Sequence, residues 1–119
     1  MKRQNKMYLR AIINSVLTAN DMTEYYLTKN KFSREPQYLF PRNEIMFFYR
    51  KYIKVNGLPV KYSDVGALFS KGHPNAMHAV KVVVPNLIKT DPNYALKIRV
   101  IENKLIERFK EIDKLKPKS

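Results

Sequence analysis

Between residues 6 and 19 the apolar positions Met7, Leu9, Ala11, Ile12, Ile13, Val16 and Leu17 recur at three- and four-residue spacing. That period places them on one face of an α-helix, so an amphipathic helix is expected there, ended by Asn20-Asp21. Asp21, with Glu24 three residues on, has the pattern of an N-cap and capping box for a second, shorter helix to about Leu27. Residues 29–41 read as a basic loop: Pro36 and Pro41 disfavour helix at the residues before them, and Lys29, Lys31 and Arg34 supply charge. A third helix is expected from Arg42, just after Pro41, to Val55. Ile45, Met46, Phe47, Phe48, Tyr49, Tyr52 and Ile53 nearly encircle it, which marks it as the buried centre of the fold. Asn56-Gly57-Leu58-Pro59 stops it.

Further on, Ser63 is an N-cap candidate for a short helix over residues 64–69 that buries Val65, Leu68 and Phe69. Ser70-Lys71-Gly72 supplies a turn, and a new helix starts at residues 73–75. Short helix, glycine-containing turn and second helix, over residues 63–88, make a helix-turn-helix pattern, in which the second helix enters the major groove of DNA. At about 100° per residue, Ala76, Val80, Val83 and Leu87 fall on one side of that helix, with Pro74, His78 and Lys81 nearly opposite. One side packs and the other is free to read: His78 to a base edge, Lys81 to guanine or phosphate, Asn75 to adenine. Pro85 lies inside this helix and would lose a hydrogen bond and clash with the carbonyl four residues back, so the helix is expected to bend or restart there. Asp91-Pro92 opens a long last helix, an N-cap followed by proline at the first helical position. Tyr94, Ile98, Ile101, Leu105, Ile112 and Leu115 form its apolar stripe. Alternating β-branched runs with hairpin turns are absent apart from Val82-Val83-Val84, so the fold class is all-α.

Length and charge narrow the partners. At 119 residues the chain fits one domain, read as an N-terminal part (1–41), a central helix with the helix-turn-helix (42–90) and a C-terminal helix with a basic tail (91–119). Its 23 Lys and Arg against 10 Asp and Glu give a net charge of +13, of which residues 1–56 carry +7, so a polyanion is the natural partner. With no cysteine there is no disulfide, thiolate nucleophile or Cys-ligated zinc. His73 and His78, five residues apart, do not stack on one helix face, and no metal site is expected. Glu102, Glu107 and Glu111 alternate with Lys104, Arg108 and Lys110, a solvated helix face rather than a catalytic pair of carboxylates. No enzyme activity and no cofactor are expected. No apolar run approaches a membrane span, and Met1-Lys2-Arg3-Gln4-Asn5-Lys6 lacks the apolar core of a signal peptide, so no membrane association and a cytoplasmic, nucleoid-associated location are expected.

Here the residues carry a resemblance. Ser63-Asp64-Val65-Gly66-Ala67-Leu68-Phe69 followed by Lys71-Gly72-His73-Pro74-Asn75-Ala76-Met77-His78-Ala79-Val80-Lys81 resembles the C-terminal DNA-binding domain of the bacterial replication initiator DnaA. There, a short "IG..FG" helix leads into an "RDHTTVxHA" signature. Upstream, Arg42-Asn43-Glu44-Ile45-Met46-Phe47-Phe48 is similar to the family's "RQIAMYL" helix, and Ser33-Arg34 falls where its basic loop sits. The resemblance implies double-stranded DNA as partner, contacted by Lys71, His73, Asn75 and His78 in the places of the signature's Arg, first His, second Thr and last His. It also implies Arg34 in the minor groove; Arg42, Pro74 and Lys81 complete the candidate set. For His73 an N-cap role is the alternative. Gly72 and Pro74 replace the signature's Asp and first Thr, and Glu35 and Pro36 stand where more basic residues are usual, so the initiator box itself is not the expected target. The family's ATPase core is missing: the chain has no GxxxxGK[ST] loop and only 3 glycines.

The expected function is therefore sequence-preferring duplex binding, in replication or transcription control of a phage or mobile element. An RNA-binding or ribosome-associated protein, or a virion module that neutralises nucleic acid, also accounts for the charge. Pro92 to Leu115 would run about 36 Å as a helix, longer than a small domain can cover, so either residues 6–19 cover its second half or a second subunit does. The first is expected, through Ile12, Ile13, Val16 and Leu17; a homodimer through this helix is the alternative.

Overall fold

A computed structural model describes residues 1–115, so the basic tail expected at residues 116–119 lies outside the described residues. The elements are α1 (Arg3–Ala19), α2 (Glu24–Lys29), α3 (Pro36–Tyr52), β1 (Lys54–Val55), β2 (Leu58–Pro59), α4 (Tyr62–Ala67), α5 (His73–His78), a π-helical turn (Ala79–Val83), α6 (Val84–Thr90) and α7 (Pro92–Lys114). The fold is all-α but for one short hairpin, with a long C-terminal helix.

α3 is the centre of the core: Ile45, Phe48 and, just past its end, Ile53 are fully buried. It begins at Pro36, six residues before the start expected after Pro41. Pro36 sits in the first turn, where a missing N–H costs nothing, and Pro41 lies inside the helix. An interior proline costs about 3 kcal/mol in an exposed helix. Here the Pro41 ring is fully buried, and tertiary packing overrides the local preference. The helix ends at Tyr52 rather than Val55, because Lys54–Val55 pairs antiparallel with Leu58–Pro59. Asn56 (φ 54°) and Gly57 (φ 79°) both adopt the left-handed region, the geometry of a type I′ hairpin turn. What reads as a helix stop is thus a hairpin.

α1 and α7 pack along each other. Ile12, Val16 and Leu17 of α1 are buried, as are Tyr94, Ile98, Ile101 and Leu105 of α7. Beyond Leu105 the Tyr8 ring lies 4.5 Å from that of Phe109, Gln4 Nε2 donates to Asp113 Oδ1 at 2.8 Å, and the Tyr8 hydroxyl donates to the same carboxylate. Burial and Asp113 push the Tyr8 pKa up to about 12. Phe109 is therefore covered from within the chain, whereas Ile106 and Leu115 stay 42% and 70% exposed. At the α7 start the expected cap holds: Asp91 Oδ1 accepts from the backbone N–H groups of Asn93 and Tyr94. In α2 the cap moves. Thr23 Oγ1, not Asp21, accepts from Tyr26 N, while Asp21 turns the chain at φ 49° and Glu24 pairs with Arg10 at 2.7 Å.

Glu44 of α3 is a fully buried carboxylate. Its Oε1 accepts from Asn20 Nδ2 at 2.8 Å and its Oε2 lies 2.8 Å from Lys97 Nζ, which also donates to Asn20 Oδ1 at 2.9 Å. Lys97 is further held over the Tyr94 ring, its Nζ 4.8 Å from the centroid. One charged cluster thereby fixes the end of α1, the middle of α3 and the start of α7 relative to each other. The buried Tyr94 hydroxyl is pushed far above the usual phenol range by desolvation and by the charge on Glu44.

Candidate nucleic-acid interface

α4, the turn over residues 68–72 and α5 form a tight helix–turn–helix. α4 starts at Tyr62, with Lys61 rather than Ser63 at its N-cap, and ends at Ala67, so Leu68 and Phe69 belong to the turn. Val65 and Phe69 point into the core, whereas Leu68 is 37% exposed. Gly66 is what lets the turn close: the N–H groups of Phe69 and Lys71 both reach its carbonyl, at 3.0 and 2.9 Å. A Cβ at that position would lie 2.6 Å from the Lys71 carbonyl oxygen, inside any real contact distance. Ser70 carries the reversal at φ 56°, a region that ordinarily favours glycine.

The second helix runs on from α5 through the π-turn into α6. Ala76, Ala79 and Val84 face the core. Val84 thus takes the inward place expected of Val83, one residue later than an unbroken α-helix would put it, and Val83 is half-buried. Five-residue hydrogen bonding over Ala79–Val83 widens the helix just before Pro85, whose ring then falls in the first turn of α6. The restart expected at Pro85 thus comes without a break. Opposite the core side, Pro74, His78 and Lys81 are all exposed, as are His73 and Asn75.

Of the eight candidate residues, five line one cleft of about 340 Å³: Arg34 and Arg42 from the first half of the chain, and Lys71, Asn75 and His78 from the helix–turn–helix. Lys71 is held below the ordinary lysine range, chiefly by desolvation and then by the charges of Arg42 and Arg34. No acidic residue occurs between Asp64 and Asp91. Among the described residues no carboxylate lies within ion-pair distance of Arg34, Lys71 or Lys81. Cations gathered without counter-charge raise each other's energy, and an anion in the cleft relieves it.

Arg42 stands apart within this set. It is 2% exposed, and its guanidinium donates to the Asn30 carbonyl at 3.0 Å and to the Ser33 carbonyl. It anchors the loop that carries Arg34 and lines the cleft with its guanidinium already committed to those carbonyls. The remaining candidates gather on the other flank of α5. The His73 ring meets Tyr62 edge-on at 5.6 Å, with Gly72 and not His73 at the N-cap position, and Lys81 Nζ sits 5.8 Å from the Tyr62 centroid. Arg50 stacks on the same ring at 4.1 Å while donating to the Val60 carbonyl. Pro74 is exposed in the first turn of α5. Tyr62 and Arg50 escape sequence reasoning, because a cation–π pair between α3 and α4 leaves no periodic trace.

Among the described residues no group of three or more His, Cys, Asp or Glu side chains is placed to hold a metal ion, and no helix is long and apolar enough to cross a membrane. Comparison with known protein families, with characterised proteins and with solved structures returns no match to the chain.

Proposed function

We propose that the chain is a non-enzymatic, sequence-preferring double-stranded DNA-binding protein that lays α5 in the major groove and regulates replication or transcription. The carrying observation is the convergence of Arg34, from a loop, with Lys71, Asn75 and His78, from the helix–turn–helix, on one acid-free cleft. Phosphate contact needs unpaired cations, and base readout needs exposed hydrogen-bonding side chains on one helix face; this surface supplies both. In this reading Lys71 and Arg34 hold phosphate, Asn75 and His78 meet base edges, and Lys81 extends the contact along the groove. The similarity of residues 63–81 to the DnaA signature supports the same reading.

Selection of bound sequences from a random duplex pool tests it, with a second stage of competition between the selected duplex, structured RNA and single strands at fixed salt. A recurrent motif in the selected pool, held against both competitors, is the expected result. Tighter binding to structured RNA would move the protein to the ribonucleoprotein class, and binding without any motif to the class of charge-neutralising modules.

A further inference from the structure

Phe32 is 66% exposed, and its ring has Lys31 Nζ 5.3 Å and Lys71 Nζ 5.1 Å from the centroid. A single exposed aromatic is ordinary on a protein surface. Its mount is not. Ser33 N donates to the Asn30 carbonyl at 3.0 Å, closing a tight turn with Phe32 near its tip. The buried Arg42 guanidinium binds the carbonyls at both ends of that turn, Asn30 and Ser33. Lys31 Nζ, from within the turn, reaches Ser70 Oγ at 3.3 Å, tying the loop to the helix–turn–helix. A guanidinium taken out of water, its pKa lowered by that burial, is thus committed to holding still a segment whose most prominent side chain touches solvent.

We propose that Phe32 is a wedge that enters the minor groove and stacks against a partly opened base step of the bound duplex. Lys31, Lys71 and Arg34 hold the flanking phosphates while the ring is inserted. The inference rests on the duplex-binding function proposed for the cleft. An apolar ring flanked by cations fits an unstacked base between phosphates, and few other ligands offer both surfaces. A rigid mount suits insertion, because the loop has little freedom left to lose on binding. Pyrimidine–purine steps, which open most easily, should recur opposite the loop in selected sites.

The chain contains no tryptophan, so Phe32→Trp places a unique indole at the tip. On saturation with the selected duplex its emission should be quenched severalfold, and iodide should lose access to it. Phe32→Ala should bind the same motif about ten-fold more weakly with an unchanged salt slope, and the DNA bend seen by end-to-end energy transfer should shrink. An indole that stays bright and iodide-accessible in a saturated complex overturns the wedge while leaving duplex binding intact. Quenching by single strands but not by the duplex also overturns it. If the native chain forms no complex with any duplex, both readings fail, and the absence of a complex tells this result from the others.

Discussion

Lys97 and Lys71 are both partly buried lysines, and they meet opposite surroundings. Lys97 is bonded to Glu44 and Asn20 and lies over an aromatic ring. Lys71 faces Arg34 and Arg42 and has no carboxylate within ion-pair distance among the described residues. The contrast extends to their regions. Each ion pair found in the described residues, Arg10–Glu24, Lys51–Glu102 and Lys97–Glu44, involves α1, α3 or α7, whereas residues 65–90 contain no acid at all. In the scaffold, charge is matched to fix helices against one another. Around the cleft it is left unmatched, at a cost in repulsion, which makes it available to an external anion. Changes in the first region should register as stability and changes in the second as binding.

The largest effect is expected at Glu44. Glu44→Ala leaves Lys97 without its buried counter-charge and should lower the unfolding free energy in urea by about 3 to 5 kcal/mol. DNA affinity, measured well below the melting temperature, should hardly move. A large loss of affinity in a still-folded variant would mean that scaffold and interface are not separable. Next come His78→Ala and Asn75→Ala, each expected to weaken the preferred site by about 1 to 3 kcal/mol and to relax its sequence preference, with no change in melting temperature. Equal losses on unrelated duplexes would remove both side chains from base readout. Lys71→Ala and Arg34→Ala should weaken all duplexes alike and make log K against log salt shallower by about 0.9 each; an unchanged slope places them off the DNA. The smallest effect is expected at Ser70→Gly, which removes left-handed strain at φ 56° but also the hydroxyl that accepts from Lys31, and adds freedom to the unfolded chain. Stability read from the urea midpoint should therefore change by less than about 1 kcal/mol.

Periodicity makes the long elements legible. The stripes of α1 and α7 can be read because each buries one face against the other, and Asp91-Pro92 marks a helix start through two independent local rules. Pro41 misleads because its local penalty is outweighed by a buried site that sequence does not reveal. Asn56-Gly57 is legible and easily misread: it is the strongest short-range hairpin signal, hidden by flanking strands of only two residues each. In the candidate site, Lys71, Asn75 and His78 are found from the turn and from helical phase. The inward turn of Arg42 is not, since nothing in the sequence distinguishes a guanidinium that binds phosphate from one that binds loop carbonyls. Phe32 is silent in the sequence because an isolated aromatic in a loop gains meaning only from what holds it.

The π-turn over Ala79–Val83 can also be regarded as a phase shifter. One extra residue in the ladder rotates the residues beyond it by about 100° relative to an unbroken helix. Residues 73–78 take their angle from the turn closed on Gly66, and residues 84–90 take theirs from the packing of α6 against α7. The two ends are therefore geared separately. Exchanging the outward side chains of residues 73–78 should therefore leave the packing of residues 84–90 unchanged. Deleting one residue within the π-turn would restore an unbroken helical phase, so Val84 could no longer face the core while residues 73–78 keep their angle.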